Sequence, residues 1–364
     1  MSALPKAAND VAPRGALGWL DEHTRLGPVI SASLHVRVPR TANTMYFGGI
    51  ALFLFVIQAT TGTLLSLYFK GTPEAAYKSV QFITSEVNFG WLIRSIHHWG
   101  ADLMILFVVL HLLRIFFQAA YKYPRQMVWL VGMLLLMVTL GFGFTGYLLP
   151  WDQRAYWATV VGTEIAGSVP VIGETLLMLL RGGTDVTGDT MSRFFGIHVL
   201  VLPISLAALL GLHMLLVHQL GLASPKRPEP RTPEGKAALA NEPVRPFFPN
   251  YIVDELVAWY ILLAVLVVLA SIFPAGLEDP ANPLQTPQHV KPEWYFLGVY
   301  QLLKLIPIKV IGIMTPIVAV GLLVFWPFLD RNPEVLARRR KLAVGGATLV
   351  LASLVALTVF GYVS

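Results

Sequence analysis

The stretches RSIHHWGADLMILFVVLHLLR (94–114) and RFFGIHVLVLPISLAALLGLH (193–213) decide the fold of this chain. Each is apolar over about the length that crosses a lipid bilayer as a helix. Each also contains a histidine pair, His97 with His111 and His198 with His213. At a rise of 1.5 Å per residue, the members of a pair lie about 21 Å apart along the axis and return to one helix face.

Two such helices side by side could hold two stacked iron sites. Imidazole is a ligand of haem iron, and one histidine from each helix at each level gives bis-histidine ligation, which favours electron transfer and leaves no open position for substrate. Single membrane histidines also serve as hydrogen-bonding groups between helices. Four in register on two helices favour the haem interpretation.

Composition indicates an integral membrane protein. Of the 364 residues, 55% are hydrophobic and 13% charged, and the mean hydropathy is +0.63. An all-α fold with seven spans is therefore predicted. The spans are about 45–67, 95–118, 127–149, 194–219, 255–274, 308–329 and 342–363.

The charge distribution predicts the orientation. Residues 1–44 carry no apolar signal-peptide core. With this segment inside, the inner segments and Arg114 hold 18 of the 27 Lys and Arg residues. The positive-inside rule then places the N-terminus in the cytoplasm and the C-terminus outside. The net charge of +6 reflects this topology, and no nucleic-acid partner is expected.

The chain has no cysteine. Disulfides, iron–sulfur ligation and thioether attachment of haem to this chain are thereby excluded. Any iron–sulfur centre must come from a partner.

The organisation along the chain suggests four parts. The Pro-rich, charged stretch 224–250 reads as an extended inner loop. We expect an inner N-terminal segment, a dihaem four-helix domain, a polar linker and a three-helix C-terminal domain, at 1–44, 45–219, 220–254 and 255–364. Two long outer loops, about 150–193 and 275–307, contain apolar runs too short to span and predict surface helices.

Glycines repeat the histidine interval. Gly48 and Gly62 in the first span, and Gly132 and Gly146 in the third, are each fourteen residues apart. A missing side chain at those levels lets a flat macrocycle approach the backbone. Small residues also serve simple helix packing, but the shared interval favours the haem interpretation.

Arginines flank the histidines. Arg94 precedes His97, Arg193 precedes His198 and Arg114 follows His111, all within five residues. At these boundaries guanidinium groups could pair with haem propionates. Boundary arginines also snorkel without any ligand.

At this point the chain resembles a known family, cytochrome b of the quinol:cytochrome c and quinol:plastocyanin oxidoreductases. Four segments match its signatures in order, from about residue 35 to 329. They are the two histidine stretches, GYLLPWDQRAYWA (146–158) and PEWY (292–295).

Within the family the chain looks closest to the chloroplast-type branch. The second histidine pair is fifteen residues apart, seven spans are expected, and SVQFITSEVNFGWLIRS (79–95) and PVIGETLLMLLRGG (170–183) resemble that branch. There, the first four and last three spans are separate polypeptides; here they look fused. The absence of cysteine puts a covalent extra haem in doubt and leaves a non-covalent one open.

The resemblance implies a homodimeric subunit that works with a Rieske-type iron–sulfur protein and a c-type cytochrome. His97 and His198 would ligate an outer, low-potential b haem, and His111 and His213 an inner, high-potential one. Quinol oxidation at the outer site would be bifurcated, with one electron crossing to reduce quinone inside and protons moved outward. The location would be a bacterial cytoplasmic or equivalent energy-transducing membrane.

The resemblance also implies site residues. Glu293 of the PEWY segment would accept a proton from quinol, as a buried carboxylate can. Tyr295 and Tyr156 are further candidates to line the outer site, although boundary aromatics commonly serve as belt residues. At the inner quinone site the candidates are His218, Asp254 and Glu255, which could supply protons or belong to a solvated loop.

Two alternatives remain open on the sequence. A dihaem anchor of another respiratory enzyme would need the histidines but neither the PEWY segment nor long outer loops. A transporter with proton-relay histidines would show broken helices and internal repeats, which the sequence does not display.

Overall fold

The computed structural model is mainly helical. It describes residues 15–24, 27, 36–39, 46–221, 243–288, 290–306 and 309–364. Most of the predicted N-terminal segment 1–44 and residues 222–242 of the predicted linker lie outside the described residues. A short helix, α1 (Ala16–Thr24), is described within the N-terminal segment.

In the described residues of the first half, four helical segments reach membrane length. They are helical because a long uncharged stretch in lipid must satisfy its own backbone hydrogen bonds. The four segments are α2 (Phe47–Ser66), α4 (Gly90–Phe117), α5 (Gln126–Tyr147) and a segment from Gly188 to Leu220. A shorter helix, α3 (Ala76–Ser85), lies between α2 and α4. The segment from Gly188 comprises α8 (Gly188–Gly196), a π-helical turn (Ile197–Val201) and α9 (Leu202–Leu220).

In the described residues of the second half, two apolar helices reach membrane length and a third is shorter. α10 (Ile252–Ile272) and α14 (Lys341–Val363) are long enough to span. Between them, α12 (Lys309–Val324) has 16 residues and is about 24 Å long, shorter than the other spans. The short helix α13 (Trp326–Leu329) follows it at once. Six long apolar helices and this shorter one confirm the predicted all-α membrane fold, and the predicted span 308–329 divides at Phe325.

Surface helices occupy both long loops, as predicted. The first loop forms α6 (Gln153–Gly167) and α7 (Gly173–Arg181), and the second forms α11 (Trp294–Leu305). Arg181, only 3% exposed, joins α7 to α6 by donating to Thr163 Oγ1 at 2.7 Å and to the Val160 carbonyl at 2.9 Å. These helices define one end of the bundle, called here the Glu293 end; the opposite end carries Asp330 and is called the Asp330 end.

A short antiparallel ladder was not predicted. β1 (Arg37–Pro39) pairs with β2 (Val244–Pro246), and the Phe247 N–H donates to the Val36 carbonyl at 2.8 Å. The part of the predicted linker after residue 242 is thus structured, and α10 begins at Ile252 rather than at residue 255.

Candidate functional site: two histidine levels and the Glu293 end

His97 and His198 form the first histidine level. α2 packs against α4 and α5 against α9, whereas α4 and α9 face each other with few direct contacts. Across this gap the ring centres of His97 and His198 are 6.5 Å apart, with their planes at 72°. Two metal–nitrogen bonds of about 2 Å, plus the distance from each coordinating nitrogen to its ring centre, sum to about 6 Å. The spacing therefore fits one iron between the rings.

His111 and His213 form the second level, nearer the Asp330 end. The two rings lie within electrostatic reach of each other. In the described part of the chain, no three His, Asp or Glu side chains converge as a protein-only metal site would need. Paired rings on facing helices suit haem ligation instead.

Each predicted glycine packs against one histidine ring. A Cβ built on Gly62 would lie 3.1 Å from His97, and one on Gly146 would lie 2.5 Å from His198. At the second level, Gly48 and Gly132 would bring a Cβ to 3.2 Å from His111 and 3.5 Å from His213. Gly48, Gly62 and Gly146 therefore make room for the imidazole rings themselves, whereas a Cβ at Gly132 would be in ordinary contact with His213. A role of the glycines against the macrocycle stays a prediction.

The π-helical turn explains the fifteen-residue interval between His198 and His213. One more residue than in the His97 pair would turn His213 by a further ~100° away from the gap. A π turn takes up one extra residue within a helix, and His198 lies in this one. It is followed by Pro203, which has no N–H to bond to residue 199. Both histidine pairs can thus face the same gap.

The three predicted arginines have different surroundings. Arg94 lies in the second turn of α4 and donates to the carbonyls of Ala275 and Gly276 at 2.7 and 2.5 Å. Arg193 is exposed and donates to the Leu179 carbonyl at 2.6 Å. Arg114 lies within electrostatic reach of Tyr251. Propionate binding by all three stays a prediction, and backbone carbonyls already engage Arg94 and Arg193.

Glu293 sits at the N-terminus of α11. Its carbonyl accepts from the backbone N–H groups of Phe296 and Leu297. The next residue, Trp294, donates its indole N–H to Asp102 Oδ1 of α4 at 3.0 Å. Burial, followed by the like charge of Asp102, raises the pKa of Glu293. Such a carboxylate binds protons more readily than an exposed one.

Tyr295 lies close to Glu293, two residues further along the chain. It packs against α5 so closely that a Cβ on Gly143 would lie 2.9 Å from its hydroxyl oxygen. Burial, and then the charge of Glu293, raise the pKa of Tyr295, so the hydroxyl stays protonated.

Tyr156 lies elsewhere. It is buried in the core beneath the surface helices, packs on Trp151 and directs its hydroxyl at the Val186 carbonyl, 3.4 Å away. Its charged neighbours are Asp185 and Arg181 rather than Glu293. The structure therefore does not bring Tyr156 to Glu293.

Sequence reasoning missed several polar residues around Glu293. Asp102, His98, Tyr147 and Arg154 all lie within electrostatic reach of it, and Arg154 forms a salt bridge with Glu278. Asp102 gave a usable signal, because an acidic residue inside a predicted span usually has a functional partner.

The three residues predicted for the inner quinone site have different surroundings at the Asp330 end. Asp254 accepts from Arg245 at 2.5 Å and from the Tyr46 hydroxyl at 3.2 Å. Glu255 instead points at α2, where a Cβ on Gly49, beside Gly48, would overlap its carboxylate. His218 is exposed in the last turn of α9.

Fold and site together define a polytopic helical membrane protein with histidines paired at two levels between its helices. Comparison with known proteins identifies the family. The protein-family model described as cytochrome b/b6/petB matches residues 34–221, and the family model described as cytochrome b(C-terminal)/b6/petD matches residues 280–364. The chain belongs to the cytochrome b/b6 family.

Some relatives match most of this chain, and others match only its first part. The cytochrome bc complex cytochrome b subunit of Chlorobaculum thiosulfatiphilum is 42% identical over 304 residues, which are 82% of this chain and 69% of that protein. Cytochrome b6 of Heliobacterium mobile is 46% identical over 212 residues, 57% of this chain and 100% of that protein. A solved structure of a hyperthermophilic respiratory complex III superposes with a TM-score of 0.83 at 35% identity, covering 94% of this chain and 90% of that one.

Proposed function

We propose that this chain is the cytochrome b subunit of a quinol:cytochrome c reductase-type complex and binds two b haems. The observation that carries the proposal is the 6.5 Å separation of the His97 and His198 rings across the gap between α4 and α9. A bound b haem supplies one-electron transfer. The chain supplies two ligands at each level and backbone glycines that leave room for the rings.

Quinol oxidation is assigned to the Glu293 end. The Glu293 carboxylate accepts a proton from a quinol hydroxyl, and its raised pKa makes it a stronger base than an exposed carboxylate. Tyr295, whose hydroxyl stays protonated, lies within electrostatic reach of Glu293 and could contact the same quinol. Arg154 and Glu278, which are partly exposed, offer the accepted proton a polar route to water.

Quinone reduction is assigned to the Asp330 end. Glu255 faces α2 beside the glycine that contacts His111, so we assign it the closer role in proton supply. His218, exposed at the end of α9, is assigned proton uptake from water. Asp254 holds Arg245 and Tyr46 in place and so acts on the site indirectly.

The surroundings of the subunit follow from the same proposal. This chain has no cysteine to hold an iron–sulfur cluster or a c-type haem, so both centres belong to partner proteins. We assign these roles to a Rieske-type iron–sulfur protein and a c-type cytochrome, which take electrons at the Glu293 end. We place the Glu293 end outside and the Asp330 end inside an energy-transducing membrane, in agreement with the distribution of lysine and arginine. A homodimer is the proposed assembly.

Two variants of the assembled complex test the proposal. His97→Ala is expected to remove one of two b-haem signals in a redox titration. Glu293→Gln is expected to keep both signals but to slow haem reduction by quinol 10²-fold or more, since the amide cannot accept the proton. Asp279→Asn, which changes an exposed acid at the same end, serves as the control. Two intact signals in His97→Ala would refute the ligand assignment, and an unchanged rate in Glu293→Gln would favour a simple dihaem anchor.

A further inference from the structure

Hydroxyl groups face the ring nitrogens of the first histidine level. Thr61 Oγ1 lies 2.9 Å from His97 Nδ1, and Thr145 Oγ1 lies 3.1 Å from His198 Nδ1. Each threonine directly precedes the glycine that packs against the same ring. A Thr-Gly dipeptide therefore contacts each ring, Thr61–Gly62 of α2 at His97 and Thr145–Gly146 of α5 at His198.

The hydroxyl hydrogens already have acceptors. Thr61 Oγ1 donates to the Ile57 carbonyl at 2.7 Å, and Thr145 Oγ1 donates to the Gly141 carbonyl at 2.8 Å. A hydroxyl has one hydrogen to donate, so toward histidine it can only accept. Each Nδ1 must then carry the ring proton, which leaves Nε2 unprotonated and able to bind iron.

Among the residues that the structure describes, no hydroxyl bonds to Nδ1 of His111 or His213 at the second level. Phe47 precedes Gly48 and Val131 precedes Gly132, and neither side chain can form a hydrogen bond. His111 Nδ1 is buried and has no hydrogen-bond partner among the residues that the structure describes. A backbone carbonyl faces one ring at each level, that of Phe142 at His198 and that of Val128 at His213. The two levels therefore differ in the threonine hydroxyls, which face both rings of the first level only.

We propose that Thr61 and Thr145 are positioning residues that fix the tautomer of His97 and His198 and make the first level the one with the lower reduction potential. A ligand ring that donates its second N–H becomes more basic, and a more basic ligand favours oxidised over reduced iron. The resulting asymmetry has the direction that electron transfer from the Glu293 end to the Asp330 end requires. The inference rests on the haem ligation proposed above.

The test measures potentials rather than turnover. In the assembled complex, Thr61→Val, Thr145→Val and the double variant remove the hydroxyls with little change of shape. An equilibrium redox titration followed by absorption should show a higher midpoint potential at the first level and no change at the second. We expect the ratio of oxidised to reduced haem to shift about tenfold in the double variant, which is about 59 mV for one electron.

Matched variants separate the hydroxyl from general packing. Thr61→Ser and Thr145→Ser keep the hydroxyl and should keep the wild-type potential. Thr139→Val removes a hydroxyl from the same helix as Thr145, where Thr139 is 3% exposed and donates to the Leu135 carbonyl at 2.8 Å. This variant should leave both potentials unchanged.

The outcomes discriminate. Loss of the first-level haem in the valine variants, with retention in the serine variants, would also support the inference, because the hydroxyl would then be needed for ligation itself. An unchanged first-level potential in the double valine variant would overturn it. Failure of the underlying haem assignment looks different, since His97→Ala would then keep both haem signals.

Discussion

At Glu293 two physical effects oppose each other. The N-terminus of α11 favours a negative charge through the helix dipole, whereas burial and the neighbouring Asp102 favour the protonated form. The second effect prevails, since the pKa of Glu293 is raised. The balance makes this carboxylate responsive to a change in a single nearby charge.

Asp102→Asn tests that balance. Asparagine can still accept the Trp294 indole hydrogen but carries no charge, so the pKa of Glu293 should fall. The base form would then persist to lower pH, and the acidic limb of the pH–rate profile for quinol oxidation should move down by about one pH unit. His98, Tyr147, Arg154 and Tyr295 also face Glu293 and stay unchanged in this variant. A limb at the wild-type pH would show that the charge of Asp102 does not act on the reaction.

Gly146→Ala tests the close approach at the first level. Its Cβ would come 2.5 Å from His198 Cε1, nearer than real Cβ atoms are found, so the ring must move. We expect loss of the first-level haem with retention of the second, measured by reduced-minus-oxidised spectra. Gly211→Ala is the control, because open space surrounds Gly211 and both haems should remain. Wild-type spectra from Gly146→Ala would contradict the proposed packing.

Some of these residues could be predicted from sequence and others could not. The histidines and glycines repeat at matched intervals, and a regular helix converts an interval into a position. Thr61 and Thr145 act through contacts between helices that are distant in the chain, and no local pattern encodes those contacts. Asp102 could be noticed as an acid inside a predicted span, but its contact with Trp294 could not be predicted. The neighbours of Tyr156 could not be predicted for the same reason, since they depend on how the surface helices pack.

Among the helices, α8 and α9 show how an element can accommodate an additional residue. The π turn at Ile197–Val201 accepts one residue beyond the regular repeat and contains His198. Six of the predicted membrane spans agree with long apolar helices because lipid imposes their length and apolarity, whereas the predicted span 308–329 divides at Phe325. The β1–β2 ladder was not predicted, because its three-residue strands form only by pairing with each other across about 200 positions of sequence.

Deletion of Leu200 tests the π turn. The shortened segment should form regular α-helix with a fourteen-residue histidine interval, so both haems should still bind. Deletion of Leu106 from α4 is the control, because the interval from His97 to His111 would become thirteen residues with no π turn to compensate. We expect that variant to lose one haem in spectra of the isolated membranes. Loss of a haem in the Leu200 deletion would mean that the π turn has a role beyond spacing.

At the scale of the whole molecule, a buried polar cluster joins the two halves at the Asp330 end. Arg340, 1% exposed, donates to the Tyr121 hydroxyl at 2.5 Å and to the Phe116 carbonyl at 3.2 Å. Lys122 Nζ lies 3.0 Å from Asp330 Oδ2. Burial opposes the ionisation of Asp330, but hydrogen bonds from Tyr121 and Lys122 outweigh it, and its pKa is lowered.

Asp330→Asn should therefore destabilise the assembled protein. Removal of one partner from a buried ion pair costs about 3–5 kcal/mol, whereas Glu334→Gln breaks only the exposed contact with Arg339 and should cost less than about 1 kcal/mol. Thermal unfolding in detergent at pH 7 compares them. A lowered pKa contributes stability above the unfolded value of about 3.9, so the deficit of Asp330→Asn should shrink as the pH falls below about 4. Equal melting temperatures for both variants would argue against the cluster.

The two halves also meet through Arg94 and the carbonyls of Ala275 and Gly276, and through Trp129 and the Leu323 carbonyl. In genetic terms, a stop codon and a new start codon between positions 222 and 242 would leave every one of these contacts encoded. Gene fission here would convert covalent linkage into subunit association, and the match of cytochrome b6 from Heliobacterium mobile to 57% of this chain over its whole length is what such a division would produce. A single open reading frame keeps the two halves in equal amounts, whereas two reading frames would have to be expressed equally.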